Sequence, residues 1–114
     1  MNEAKVFDKE AALNRVDNDK ELLQELIALF FEEYPAQIRR IETAIQNQDT
    51  KELEEAAHAI KSALGNIGAM RCYELAFSLE KSGKTAELSG VRESFDKLVQ
   101  EVEGFRIEAE KLLN

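Results

Sequence analysis

Apolar residues recur at steps of three and four along most of the chain, the spacing that lines one face of an α-helix. Four stretches interrupt this pattern and predict turns, at residues 16–19, 47–50, 66–68 and 82–90. The division predicts five helical segments. They run from about Asp8 to Arg15, from an N-cap at Asn18 or Asp19 to about Gln46, from Asp49 to the break at Asn66, from Ala69 to about Lys81, and over the apolar stripe from Leu88 to Leu112.

The four long segments are amphipathic and their connections are short, so consecutive helices are expected to lie antiparallel. The sequence therefore predicts an all-α fold, an antiparallel up-down four-helix bundle with a short extra N-terminal helix across its end. Pro35 interrupts the second segment, but the apolar stripe resumes in phase, which predicts a kink rather than a break. Glu52, three residues after Asp49, is placed as in a capping box.

Composition narrows the classes of function. The 114 residues suit one domain over residues 1–114, and the formal charge of -8 disfavours nucleic acid and anionic membranes as partners. Cys72 is the single cysteine, which excludes an internal disulfide. Residues 1–10 contain no secretory signal, and the longest strictly apolar run, residues 26–31, is too short to span a bilayer. We therefore expect a monomeric cytoplasmic protein without direct membrane contact, with a cytoplasmic module of a larger, membrane-anchored protein as the alternative.

The single histidine, His58, departs from what packing requires. On a helical wheel it lies about 140° from the apolar stripe of the third segment, so it is predicted to be exposed. Lys61 and Ser62 lie one turn further along on either side of it, and Gly65 is two turns further and almost in line. The group predicts an accessible imidazole with a cation beside it. Taken singly, Lys61 fits a solvated face, Ser62 a neutral surface position and Gly65 an early C-terminal stop of the helix equally well.

Glu80 is expected to lie at the same height as His58. If the third and fourth segments form a hairpin, positions equidistant from its turn face each other, and both residues are eleven positions from Ala69. A carboxylate there is able to accept a hydrogen bond from one ring nitrogen and leave the other facing solvent. The alternative is a boundary carboxylate without such a role.

The run from Ala57 to Ser62, followed by Gly65-Asn66-Ile67-Gly68-Ala69 and then Leu79-Glu80, resembles the signature of histidine-containing phosphotransfer (HPt) domains. These domains are four-helix bundles of about this length, so the resemblance covers essentially the whole chain. In the family, the histidine of an H-x-x-K-G or H-x-x-K-S pattern accepts a phosphoryl group. The lysine three residues on assists it, and a Glu or Gln one helix later often bonds the imidazole.

By matched position, the resemblance assigns these three roles to His58, Lys61 and Glu80. Ser62 stands where many members have glycine, and it is small enough that access to the imidazole is expected to survive. Gly68 matches the family glycine at the turn into the fourth helix, where a positive φ costs glycine least.

The resemblance also implies the partners. Donor and acceptor are expected to be receiver domains of response regulators, which carry the aspartyl phosphate and supply Mg²⁺, so no cofactor is expected on this chain. The sequence contains no P-loop and no clustered carboxylates for Mg²⁺, which favours a phosphoryl carrier over an ATP-dependent kinase. Both a free-standing protein and a domain of a hybrid sensor histidine kinase stay open.

Other interpretations are weaker or unresolved. A bundle that binds receivers or kinases without transferring phosphate is the main alternative. An enzyme that pairs His58 with Cys72 is disfavoured because Cys72 falls on a buried stripe. A metal site is disfavoured because Glu54 and His58 have no second histidine and no nearby cysteine to join them. Leu22 and Leu29 lie off the main stripe and are predicted to pack under the first helix, with an apolar docking patch as the alternative.

Overall fold

Five α-helices form the structure, a computed structural model that describes residues 4–114. They are α1 (Lys9–Arg15), α2 (Lys20–Gln46), α3 (Thr50–Asn66), α4 (Met70–Thr85) and α5 (Val91–Leu113). Residues 4–114 contain no strand, and none of their helices has a stretch long and apolar enough to cross a membrane. Residues 1–10 are predicted to contain no secretory signal, and the first three of them lie outside the described residues.

Aspartates begin the first three helices. The Oδ1 atoms of Asp8, Asp19 and Asp49 each accept a hydrogen bond from the backbone N–H three residues on, at 3.0–3.1 Å. The capping box predicted at the start of α3 is half formed, because the carboxylate of Glu52 instead accepts two bonds from Arg40 in α2, at 3.0 and 2.7 Å. This pair ties α2 to α3 close to the turn that joins them.

The helices are antiparallel, as predicted. α3 and α4 form the most extensive helix pair. Their contacts run in reverse order along the two helices, Gly65 with Tyr73, His58 with Glu80 and Glu54 with Gly83. α2 and α5 show the same reversal in two hydrogen bonds, Glu42 with Arg92 and Gln24 with Leu113. The predicted up-down four-helix bundle is confirmed, and α2 continues through Pro35 as one helix.

The apolar stripes meet in one core. The buried members of α3, α4 and α5 include Leu53, Ala57, Ile60, Leu64, Cys72, Leu79, Phe95, Leu98, Val102 and Phe105. At the end of α5 the prediction is wrong by one position, because Leu112 is 41% exposed whereas Leu113 is 3% exposed. Steps of three and of four from Ala109 both fit a helical stripe, and the packed bundle takes the step of four.

α4 extends further than the sequence predicts. It ends at Thr85 rather than near Lys81, and the connection to α5 spans residues 86–90. Gly83, interpreted as part of a turn, is buried inside the helix, where a Cβ atom would lie 2.5 Å from the backbone nitrogen of Glu54. The C-cap that follows Thr85 is Ala86, which adopts a left-handed conformation with φ 59°.

The N-terminal segment crosses the turn between α3 and α4. The ring of Phe7 is buried edge-on against Phe105, with centroids 5.4 Å apart, and the Asp8 backbone N–H donates to the Gly68 carbonyl at 2.8 Å. Gly68 has the predicted positive φ, at 77°, and a Cβ atom on it would lie 2.7 Å from the Asp8 carbonyl oxygen. Glycine therefore serves both the turn and the close approach of this segment.

Leu22 and Leu29 do not pack under α1, so this prediction is wrong. Their exposed fractions are 39% and 48%. The segment that leads into α1 is instead tied to the α3–α4 turn through Asp8 and Gly68.

Candidate functional site

His58 stands on the outer face of α3 with 60% of its side chain exposed. The flanking Ala57 and the nearby Ile60 are fully buried, so the helix itself turns the imidazole outward. Its Nδ1 atom lies 2.6 Å from Oε2 of Glu80 in α4, the contact that the hairpin symmetry predicts.

Glu80 holds two partners with one carboxylate. While Oε2 contacts the imidazole, Oε1 lies 2.6 Å from the Nζ atom of Lys61. Burial raises the pKa of the Glu80 carboxyl, but the hydrogen bonds from Lys61 and then His58 outweigh it, and the pKa falls below its ordinary value of 4.5. The carboxylate is therefore ionised at neutral pH.

The ionised carboxylate fixes the tautomer of His58. An ionised carboxylate only accepts hydrogen bonds, so Nδ1 of the neutral imidazole must carry the proton. The Nε2 atom then keeps its lone pair. Because most of the side chain is exposed, this tautomer presents Nε2 at the surface as a nitrogen nucleophile of fixed orientation.

Lys61 is held on several sides. Its side chain is 17% exposed, and its Nζ atom lies 5.0 Å from the ring centroid of Phe77 and 5.9 Å from that of Tyr73. The hydrogen bond to Glu80 raises the pKa of the ammonium. The sequence predicts a cation beside His58, with a solvated face as the alternative, and the structure ties that cation to the carboxylate that also holds the imidazole.

Ser62 and Gly65 contribute differently from each other. The hydroxyl of Ser62 donates to the backbone carbonyl of His58 at 3.1 Å and leaves the imidazole uncovered. A Cβ atom on Gly65 would lie 3.2 Å from Cδ2 of Tyr73, so the missing side chain makes room for that ring. The structure thus relates Gly65 to the packing of Tyr73, where the sequence suggests access to the imidazole.

Two functional candidates were missed from the sequence, Tyr73 and Phe77. They lie four residues apart on α4, and Phe77 is three residues before Glu80, so helical spacing places all three on neighbouring turns of one side. Phe77 falls outside the apolar stripe of α4, which is the signal that could have singled it out. Its exposed fraction of 50% marks it as an aromatic residue that the core does not use.

Cys72 lies in the core and away from this chemistry. It is fully buried, and burial raises the pKa of its thiol to about 12. At pH 8 we expect iodoacetamide to alkylate native Cys72 at least about 100-fold more slowly than the urea-unfolded chain, because native thiolate is scarce and covered. Mass spectrometry of timed samples measures this ratio, and similar native and unfolded rates would contradict it.

No group of three or more His, Cys, Asp or Glu side chains arranged to hold a metal ion occurs in the part of the chain that the structure describes. Glu54 and His58 therefore do not extend into a larger set of ligands within residues 4–114.

Comparisons with known proteins bear on this geometry. The structure is similar to the crystal structure of histidine-containing phosphotransfer protein B (HptB) from Pseudomonas aeruginosa PAO1, with a TM-score of 0.85, 21% sequence identity, and coverage of 97% of this chain and 96% of that chain. A search of curated proteins gave no match. The model of the Hpt domain family matches residues 25–108, a span that includes His58, Lys61 and Glu80. Because that span is most of the chain, the protein belongs to the Hpt domain family, the histidine-containing phosphotransfer domains of two-component signalling.

Proposed function

We propose that the protein carries phosphoryl groups between receiver domains. His58 accepts the group from an aspartyl phosphate of one receiver and returns it or passes it to an aspartate of another. The observation that carries the proposal is the 2.6 Å hydrogen bond from Nδ1 of His58 to Glu80, because it leaves Nε2 of the exposed imidazole as the nucleophile.

Each transfer exchanges one bond for another. The Nε2 lone pair attacks phosphorus, the N–P bond forms, and the P–O bond to the receiver aspartate breaks, so that a carboxylate leaves. The ring becomes a cation because Nδ1 keeps its proton, and the Glu80 carboxylate 2.6 Å away stabilises that charge. In the reverse direction the cationic ring is the leaving group, and it returns to the neutral tautomer with the same proton in place.

Lys61 supplies positive charge next to the reacting nitrogen. One carboxylate holds both the ammonium and the imidazole, so the two groups stay close together. In our proposal the ammonium offsets the negative charge of the phosphoryl oxygens. The receiver contributes Mg²⁺ and the aspartate, and this chain acts as a carrier rather than a kinase.

A groove between α2 and α3 offers a surface for the receiver. Leu29 lines it from α2, and Ala63 and Asn66 line it from the two turns of α3 that follow the His58 turn. Leu29 is 48% exposed, so it gives the groove accessible apolar surface. We include this groove in the surface that the receiver covers. Leu29 then belongs to an apolar docking patch, the alternative that the sequence left open for it.

Transfer from a phosphorylated receiver tests the proposal. The protein is incubated with ³²P-labelled receivers and Mg²⁺, then repurified and offered to a second, unlabelled receiver. We expect acid-labile label on the protein that moves on to the second receiver, and no label from ATP alone. Absence of label with a broad panel of receivers would instead support the alternative of a module that binds without transferring phosphate.

Glu80→Ala is expected to slow phosphorylation of His58 by about tenfold or more, since a hydrogen bond to a charged group contributes about 1.5–3 kcal/mol. Glu80→Gln is the matched control, because its amide oxygen still accepts from Nδ1 and the loss should be smaller. Initial rates of labelling measure both. Equal losses in the two variants would show that the charge of Glu80 matters rather than its bond to the ring.

The Glu80 effect also has an expected pH dependence. Because the pKa of Glu80 lies below 4.5, its contribution is complete above that pH and is lost as the pH falls through the lowered value. The ¹³C NMR signal of the Glu80 carboxyl carbon should therefore show its protonation step below pH 4.5. A protonation midpoint above pH 4.5 would contradict the assigned ionisation.

Lys61→Met is expected to slow transfer roughly tenfold, because it removes a charged donor beside the phosphoryl group and keeps most of the apolar stem. Its melting temperature should also fall, by at least about 4–8 °C, because the change leaves the Glu80 carboxylate, whose side chain is only 16% exposed, without its ammonium partner at a cost of about 1 kcal/mol or more. Labelling rates and thermal melts followed by circular dichroism measure the two effects. A fall in melting temperature without a loss of labelling rate, at a temperature where the variant is folded, would show that Lys61 is mainly structural.

A further inference from the structure

The aromatic side chains beside Lys61 are not explained by packing of the core. Phe77 is 50% exposed, and it is the one aromatic residue among the large apolar side chains that stand exposed in residues 4–114. Its ring centroid lies 5.0 Å from Nζ of Lys61, within the range of a cation–π interaction. The exposed ring of Phe77 is therefore close enough to interact with the ammonium of Lys61.

Tyr73 meets the same ammonium from the preceding turn of α4. Its ring lies 5.9 Å from Nζ of Lys61 and packs on Gly65, where even a methyl group would come within 3.2 Å of it. The two rings and the Glu80 carboxylate therefore surround the ammonium from α4. Lysine has a flexible four-carbon stem, so these contacts restrict where its charge is placed.

We propose that Phe77, assisted by Tyr73, is a positioning residue that holds the ammonium of Lys61 beside the imidazole of His58. The inference rests on the proposed function, in which this ammonium offsets the phosphoryl charge. Without the ring, the lysine stem gains access to solvent-facing rotamers and its charge spends less time at the site. Phe77 thus acts on the reaction through Lys61, without touching the reacting atoms.

A small phosphoryl donor separates positioning from docking. Phosphoramidate needs no receiver, and as Nε2 attacks its phosphorus, its P–N bond breaks and ammonia leaves. Since exposed cation–π pairs are weak, we expect Phe77→Leu to slow labelling of His58 by this donor about two- to fivefold. Phe77→Trp should restore the rate, because indole offers the strongest cation–π face. A loss confined to receiver donors would overturn the proposal and make Phe77 a docking contact.

A double-mutant cycle tests whether the effect passes through Lys61. In the Lys61→Met background, Phe77→Leu should cause no further loss with phosphoramidate. A further two- to fivefold loss there would overturn the proposal, because Phe77 would then act by another route. Ile107→Leu is the control for an exposed apolar change away from the site, since Ile107 is 58% exposed on α5.

The ¹H–¹⁵N signal of the Lys61 ammonium gives a readout that needs no phosphate. In the wild type the aromatic rings should shift this signal and the Glu80 pair should slow its proton exchange. In Phe77→Leu the shift should decrease and exchange should quicken, whereas Ile107→Leu should resemble the wild type. An unchanged signal in Phe77→Leu would overturn the positioning role even if transfer is normal. Failure of wild-type transfer with a normal signal would instead count against the proposed function.

Discussion

His58→Gln is expected to remove all acid-labile phosphate from the protein after incubation with a phosphorylated receiver. The chain has one histidine, so the wild type should accept at most one such group per molecule. An amide nitrogen has no available lone pair for attack on phosphorus, whereas the neutral imidazole presents one at Nε2. Filter binding of ³²P-labelled protein before and after acid treatment measures the loss.

The fold should survive this change. The His58 side chain is 60% exposed, and the glutamine amide is able to donate to Glu80 in place of Nδ1. We therefore expect a melting temperature close to that of the wild type. Ser62→Ala is the matched control from the next turn of α3, and it should keep the label, because the Ser62 hydroxyl bonds the backbone carbonyl of His58. Acid-labile label that persists in His58→Gln would contradict the assignment of the phosphoacceptor.

The fold was largely predictable because local signals and tertiary packing agree. The apolar stripes indicated the helices, and the aspartates at positions 8, 19 and 49 begin them as caps. The symmetry of a hairpin also predicted the contact between His58 and Glu80, since antiparallel helices leave few choices of partner at one height. These inferences depend on spacing along the chain, which a sequence records directly.

The remaining features depend on neighbours that spacing does not specify. Lys61 was predicted as a cation beside His58, but its bond to Glu80 and its contact with Phe77 depend on the reach of its stem. In the sequence Gly65 suggests access to the imidazole, whereas in the structure the ring of Tyr73 packs against it. A glycine in a sequence shows where a side chain is absent, and the packed structure shows which atoms take that space.

Gly83→Ala is expected to destabilise the protein, although alanine is intrinsically the better helix former. A Cβ atom there would lie 2.5 Å from the Glu54 backbone nitrogen and 2.7 Å from the Thr50 carbonyl oxygen. Because both atoms belong to the backbone of α3, no side-chain rotation relieves the clash and the two helices must move apart. Overpacking of this kind costs about 1–3 kcal/mol. Chemical denaturation should show a loss in this range, with a melting temperature lower by about 10 °C.

Gly104→Ala is the matched control, because Gly104 also lies within a helix but has no neighbouring atom within 4 Å of the point where a Cβ atom would be added. It should stabilise the protein by up to about 1 kcal/mol through helix propensity alone. The two variants thus separate helix propensity from the close approach of the helices, and stabilisation by Gly83→Ala would contradict the tight contact.

The contact of Gly83 with α3 also lies near the site. Glu80 is three residues before Gly83 on α4, so a shift of the helices should lengthen its bond to His58. We therefore expect Gly83→Ala, but not Gly104→Ala, to slow phosphorylation of His58 at temperatures where both variants are folded.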